Sequence, residues 1–210
     1  MDRPDTLILS DGTELAVRPI CPDDKAAVQA AFQRMSPESR YRRFFAPLKE
    51  LSERDLAYLT EIDHRDHEAL AAIEPATGIV GVARFVRTEA RRAEASIAVG
   101  DEWQHRGVGT GLLERLASRA REEGITHFVA LVLAENRDAL ELFESLGGAT
   151  SERRESGNLE LLIELPEPGA LEGSLLAHAL REAARGVITM NPWRVLVEAI
   201  RRTWNNRPGR

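Results

Sequence analysis

Residues 94–111 read EASIAVGDEWQHRGVGTG, and this stretch joins a strand pattern to a helix pattern through a glycine-rich turn. Residues 94–99 have the character of a β-strand. After the turn, apolar residues recur at helical spacing, at Val108, Leu112, Leu113, Leu116, Ala117 and Ala120. Gly124 follows as a natural C-terminal cap. The stretch therefore predicts a strand, a turn and a helix in direct succession.

The turn between these elements has the chemistry of an anion site. Backbone N–H groups at a helix start point in one direction, and the helix adds positive potential there. Gly107, Gly109 and Gly111 lack the Cβ atoms that would keep phosphate oxygens from the backbone, and Arg106 can supply charge at the rim. The stretch lacks the dinucleotide fingerprint and the Gly-Lys-Ser/Thr ending of a P-loop. The alternative is a glycine-rich connection without a ligand.

The flanking sequence continues with strand and helix patterns. Further strands are expected at residues 6–9, 14–18, 69–73, 79–86, 125–133 and 159–165, the last paired across Ser156-Gly157-Asn158. Helices are expected to begin at Pro22, at Ser36 and at the capping-box sequence Ser52-Glu53-Arg54-Asp55, with a later one at residues 138–146. We therefore expect an α/β fold: a mixed sheet of six or seven strands with helices on both faces.

Pro166 and Pro168 mark a boundary between a domain at residues 1–165 and an extension at residues 166–210. Apolar residues repeat at helical spacing in the extension, which predicts two amphipathic helices. Such helices pack against the domain or a partner subunit, and a homodimer through them is one expected arrangement. Membrane association is the weaker alternative because acidic residues are mixed in.

Composition limits the classes of function. The net charge of -6 argues against broad nucleic-acid binding. The single cysteine, Cys21, excludes an internal disulfide and a cysteine-based zinc cluster, and suits a reducing compartment. No segment has the character of a membrane span or a signal peptide, so a cytoplasmic protein is expected. His64 and His67 lie in an acidic stretch that fits a solvated loop better than a metal site, and no metal is expected.

The turn resembles the Q/R-x-x-G-x-G/A signature of the GNAT superfamily of acetyltransferases, with Gln104, Gly107 and Gly109 in the fixed places. The resemblance implies the GNAT acyl-CoA N-acyltransferase fold and acetyl-CoA as co-substrate. It assigns the pyrophosphate to the turn and the start of the helix, and the pantetheine arm to the preceding strand. The residues implied to bind the cofactor are Ile97, Ala98, Val99, Gln104, His105, Arg106, Gly107, Val108, Gly109, Thr110, Gly111, Asn136 and Phe143.

The same resemblance assigns catalytic roles. Acetyl transfer needs a neutral amine, whereas a lysine-type amine is protonated near pH 7, so a base is required. Glu94 matches the family glutamate that often serves as this base; a solvated carboxylate at a strand end is the alternative. Phe143 stands where many members have a tyrosine that protonates the departing thiolate. A phenyl ring cannot donate a proton, and Phe143 packs either against pantetheine or in the core.

A closer resemblance lies in the N-terminal third. Residues 36–45, SPESRYRRFF, and 59–63, LTEID, look like the acetyltransferase domain of bacterial Pat-type protein lysine acetyltransferases. This implies an acceptor lysine on an acyl-CoA synthetase-type protein. A small amine acceptor, a non-catalytic acyl-CoA-binding module and an assembly role for the C-terminal helices remain alternatives.

Two sets of charged residues in the N-terminal third of the sequence have two possible interpretations each. Arg40, Arg42 and Arg43 form either a solvated helix face or a docking site for an acidic partner. Asp63, Asp66 and Glu68 either line the acceptor mouth or belong to a surface loop. Trp103, beside the signature, is expected to be a packing residue.

Overall fold

A computed structural model describes residues 5–9, 11–44, 48–104, 106–133, 149–155 and 158–165. The expected helix at residues 138–146 and the C-terminal extension at residues 166–210 lie outside the described residues. So do His105, Asn136 and Phe143. The homodimer expected through the C-terminal helices therefore stays a prediction.

A single sheet of eight strands runs through the described chain, in the order β1-β2-β3-β4-β5-β6-β8-β7. The strands are β1 Asp5–Ile8, β2 Glu14–Pro19, β3 His67–Glu74, β4 Gly78–Glu89, β5 Arg92–Val99, β6 His127–Leu133, β7 Ala149–Glu155 and β8 Asn158–Glu164. Neighbours are antiparallel except β5 and β6, which are parallel. The expected mixed sheet is confirmed, and it has eight strands where six or seven were expected. The edge strand β7 reads ATSERRE, whose polar sequence carries little apolar alternation.

Four α-helices are described: α1 Lys25–Arg34, α2 Pro37–Phe44, α3 Glu53–Thr60 and α4 Val108–Glu122. The expected capping box at α3 is confirmed: Asp55 N–H donates to Ser52 Oγ at 3.2 Å, and Ser52 N–H donates to Asp55 Oδ2 at 2.9 Å. Gly124 adopts φ 76° just after α4, as expected of a left-handed cap. No described helix is long and apolar enough to cross a membrane.

The sheet separates two apolar layers because successive side chains along a strand point to opposite faces. Leu70 and Ala72 join Leu112, Leu116 and the rest of the α4 layer. Ala69 and Ala71, on the other face of β3, pack beneath α1. Helices on both faces are therefore confirmed, and α4 and α1 lie on opposite faces of the sheet.

A partly buried ion pair fixes the entry into α1. Arg18 Nη1 and Nη2 each donate to Asp24 at 2.7 Å, and Cys21 N–H donates to the same carboxylate at 2.8 Å. The hydrogen bonds from Arg18 lower the pKa of Asp24 to about 2, well below the ordinary value of an aspartate. The pair therefore stabilises the fold above pH 4, and this contribution is lost as pH falls through about 2.

Asp24→Asn is expected to lower the free energy of unfolding by roughly 1 kcal/mol at pH 7, a value discounted because Arg18 is partly exposed. At pH 3 the loss in free energy of unfolding should be about half as large, because the Asp24 carboxyl is already protonated in most unfolded chains. Urea denaturation at both pH values measures it, with the exposed neighbour Asp23→Asn as control. An equal deficit at both pH values would show that the carboxylate charge is not responsible.

Candidate active site

β5 and β6 separate from one another part of the way along their length. Their register pairs are Arg92 with His127, Ala93 with Phe128 and Glu94 with Val129. Between these two described strands no register pair follows, although β5 continues to Val99 and β6 to Leu133. The two strands thus form a V that opens toward their carboxyl ends. The edge of β5 that faces the opening includes Ile97, Ala98 and Val99, where an extended ligand could pair as an added strand.

The N-terminus of α4 follows the open end of β5. Gly107 precedes the helix with φ 94°, a left-handed conformation that favours glycine, and its position is exposed. The N–H of Gly111 donates to Gly107 O at 3.0 Å, which is the first helical bond of α4. The N–H groups of Val108 and Gly109 precede that bond and have no acceptor within the helix. The turn therefore offers backbone donors and positive helix potential beside the V.

Gly111 has a packing role in addition to the one expected of it. A Cβ at this position would overlap the side chain of Leu7, and the Gly111 N–H donates to Gly107 O within the helix. The absence of a side chain therefore lets β1 pack closely against α4. The expected contribution of Gly111 to phosphate binding stays a prediction.

Gln104 and Arg106 are both held by neighbouring groups. Gln104 Nε2 donates to Val99 O and to Asp101 Oδ1, both at 3.2 Å. The Arg106 guanidinium lies 4.3 Å from the centre of the Trp103 ring, and its Nη2 donates to Asp11 Oδ2 at 2.6 Å. Arg106 thus lies beside the turn as expected, but its charge is shared with a carboxylate of the first hairpin. Backbone and side-chain bonds from Thr13, followed by Arg106, hold the pKa of Asp11 far below its usual value.

Asp101 ties the turn to α2, a contact that the sequence patterns missed. Ser36 N–H donates to Asp101 Oδ2 at 2.7 Å, and the Ser39 hydroxyl donates to Oδ1 of the same carboxylate. Ser36 and Ser39 stand at the start of α2, whose first N–H groups need acceptors. An acidic residue just before the signature is the only sequence signal of this contact. It fixes the N-terminal helices relative to the turn.

Glu94 lies at the closed end of the V. It is opposite Val86 on β4 and Val129 on β6, so it belongs to the interior of the sheet. Its side chain is half-buried. By alternation it points to the face of Ser96 and Ala98, away from the α4 layer that takes Ala93 and Ala95. The alternative interpretation of Glu94, a solvated carboxylate at the end of a strand, therefore does not fit this position.

A cavity of about 220 Å³ lies on that same face. α1, α3, β4 and the end of β5 enclose it, and most of its lining is apolar. Ala98 and Gly100 form the wall next to the turn before α4, where Asp101, Glu102 and Trp103 complete it. Trp103 also packs against the main core, as expected. One end of the cavity therefore lies at the carboxyl end of β5, on the open side of the V.

Arg84 forms part of the opposite wall and is only 3% exposed. Its Nη2 donates to Leu59 O at 2.7 Å, and its Nη1 contacts His67 Nε2. Burial lowers the pKa of Arg84 to about 10. Burial and the neighbouring Arg84 lower the pKa of His67 to about 3, so His67 is neutral at pH 7.

The acidic residues Asp63, Asp66 and Glu68, which had two possible interpretations, do not line this cavity. Glu68 is 1% exposed and accepts from His64 Nδ1 at 2.8 Å and from Arg119 Nη2 at 3.3 Å, on the α4 face. Asp63 accepts three backbone N–H groups of its own loop, from residues 65, 66 and 67. Asp66 pairs with Arg87. None of the three acids lines the cavity, so the surface-loop interpretation holds for Asp63 and Asp66, and Glu68 is a buried ion-pair partner.

Arg40 is structural rather than a solvated or docking residue. Its Nε donates to Met35 O at 3.0 Å and its Nη2 to Gln33 O at 2.7 Å, while the guanidinium lies 4.8 Å from the Phe32 ring centre. These contacts join the end of α1 to α2. The side chains of Arg42 and Arg43 lie outside the described residues. In the described ranges, no group of three or more His, Cys, Asp or Glu residues is arranged to hold a metal ion.

Comparison with known proteins gives a consistent family. The sequence profile of the Acetyltransferase (GNAT) family matches residues 28–148. Acetyltransferase Pat of Mycolicibacterium smegmatis is 32% identical over 177 residues, which are 82% of this chain and 52% of that protein. The chain thus spans about half the length of that relative.

Solved structures agree with this result. The GNAT domain of S. lividans PAT superposes with a TM-score of 0.69 at 35% identity, over 77% of this chain and 97% of that one. The yncA structure of Salmonella typhimurium, which contains its cofactor acetyl-CoA, superposes with a TM-score of 0.57 at 20% identity, over 75% and 98% of the two chains. At that identity, the second likeness concerns the fold alone. Because the profile covers more than half of the sequence, this chain belongs to the acetyltransferase (GNAT) family, as its signature predicted.

Proposed function

We propose that this protein transfers the acetyl group of acetyl-CoA to a primary amine, with the lysine of a partner protein as acceptor. The observation that carries the proposal is the V between β5 and β6, which opens beside the N-terminus of α4. This arrangement offers an extended arm a strand edge that no other described strand pairs with, and it offers backbone donors to a diphosphate. Family membership supports acetyl-CoA as the donor.

The residues proposed to bind acetyl-CoA form two groups. Ile97, Ala98 and Val99 pair with the pantetheine arm. The pyrophosphate lies against the turn and helix start at Gln104, His105, Arg106, Gly107, Val108, Gly109 and Thr110. Asn136, Phe143 and Gly111 stay in the proposal on the family resemblance, and Gly111 also packs against Leu7.

Glu94 is proposed as the general base, directly or through a water molecule. An ammonium loses its proton toward Glu94, and the neutral nitrogen then attacks the thioester carbonyl carbon. Backbone N–H groups near Val99 polarise the carbonyl oxygen. The C–S bond breaks as the amide forms, and coenzyme A leaves as a thiolate. With Phe143 at the family's tyrosine position, the thiolate takes its proton from water or another side chain.

A protein lysine is favoured as acceptor because the N-terminal third resembles the Pat type. The same relationship appears in the 35% identity to the S. lividans PAT domain, which this chain covers almost completely. The acceptor lysine proposed on this basis belongs to an acyl-CoA synthetase-type protein.

Incubation with acetyl-labelled CoA and a lysate of the host tests the function directly. We expect stoichiometric thiol release and label on protein lysines, found by mass spectrometry after digestion. Label confined to small molecules would exclude the protein acceptor. Binding of acetyl-CoA without turnover for any amine would instead favour an acyl-CoA-binding module.

A further inference from the structure

We propose that the cavity between α1, α3 and β4 holds an apolar side chain of the partner protein that neighbours the acceptor lysine. This inference rests on the proposed function, because the side chain enters the cavity together with the lysine. It assigns a contact site for a second side chain of the partner, and it predicts a sequence preference around the acceptor.

The size of the cavity is the first argument. Cavities of about 150 Å³ with aliphatic and aromatic linings bind a benzene ring. The present cavity measures about 220 Å³. A lysine side chain is an unbranched chain of four methylene groups, which is too thin to fill such a space. Aromatic or branched aliphatic groups have a matching bulk.

The lining is the second argument. Val28 and Phe32 of α1, Leu59 of α3 and Val82 of β4 all contribute to the wall. An apolar side chain that leaves water for this surface is favoured in binding, whereas a polar one would lose its hydration without recovering hydrogen bonds. The cavity therefore selects an apolar occupant.

The charged residues at the two ends of the cavity are the third argument. At the end next to the cofactor turn, Asp101 and Glu102 stand with Arg34, whose Nη2 donates to Ile79 O at 2.8 Å. Two carboxylates and one guanidinium leave that end acidic, as an approaching ammonium requires. The α3 end carries the guanidinium of Arg84, whose Nη2 donates to Leu59 O at 2.7 Å. A second ammonium would be repelled by this positive charge, so a basic neighbour of the lysine is disfavoured.

Matched acceptor peptides test the proposal on the unmodified protein. Each peptide carries one lysine, with Phe, Leu, Ala or Arg placed on either side of it. We expect kcat/KM for the Phe or Leu peptide to exceed that of the Ala peptide by about tenfold or more. The Arg peptide should fall below the Ala peptide.

Ala31→Leu, on the cavity wall, is expected to bring the Phe-to-Ala ratio close to one while the Ala peptide is still acetylated. Ala26→Leu, exposed on the same helix, is the matched control and should keep the wild-type ratio. Acetyl-CoA binding by both variants shows that they are folded. If Ala31→Leu does not fold, the peptide series with the unmodified protein decides by itself.

Lysine acetylation without a Phe or Leu preference would overturn this inference and leave the proposed function standing. Faster turnover of phenylalkylamines than of every peptide would also overturn it, because the occupant would then be part of a small substrate. Failure of every amine to release thiol would remove the proposed function, and the inference with it.

Discussion

Glu94→Gln is expected to lower kcat with a lysine peptide by about 100- to 10,000-fold near pH 7, the usual contribution of a general base. Glutamine keeps the size of the side chain and can still hydrogen-bond, but it cannot take a proton from the ammonium. Acetyl-CoA affinity should change little, because Glu94 lies at the closed end of the V and the proposed cofactor contacts lie beyond it. Steady-state kinetics and calorimetry with coenzyme A measure the two quantities separately.

The pH dependence separates this chemical role from structural damage. As pH approaches about 10.4, a lysine amine becomes neutral without help. The deficit of Glu94→Gln should therefore shrink as pH rises, whereas a misfolded site would stay slow at every pH. Glu89→Gln, exposed at the end of β4, is the matched control and should retain wild-type rates. Equal rates for wild type and Glu94→Gln near pH 7 would remove Glu94 from the mechanism.

Gly107→Ala is expected to weaken acetyl-CoA binding by about tenfold. The position has φ 94° and open space where a Cβ would be added, so the cost is conformational rather than steric. A left-handed backbone costs a residue with a side chain roughly 1–2 kcal/mol, and relief of that strain would turn the N–H groups of the turn. Calorimetric titration with acetyl-CoA measures the change.

Gly124→Ala provides a matched control at the other end of α4. Gly124 has φ 76° and equally open space, so the strain should be similar. Both substitutions should lower the melting temperature by a comparable amount, but only Gly107→Ala should weaken acetyl-CoA binding. Unchanged affinity in Gly107→Ala would contradict the placement of the diphosphate at this turn.

Some packing roles could not be predicted because residue type does not reveal which face of a sheet a side chain occupies. The sequence groups Glu68 with Asp63 and Asp66 in one acidic stretch. In the structure it begins the buried part of β3, where alternation directs it toward Arg119 of α4. The packing role of Gly111 was missed for a similar reason: its nearest contact, Leu7, is about a hundred residues away along the chain.

The sequence by itself determined the local elements, since capping, turn and periodicity signals act over a few residues. The Ser52 capping box, the left-handed cap at Gly124 and the stripe of α4 all formed where the patterns predicted. Only the tertiary structure decided where β5 leaves β6, which residues Asp101 joins and how large a cavity lies beneath α1. Each of these depends on segments that are distant in sequence and come together only when the sheet and its two helical layers pack.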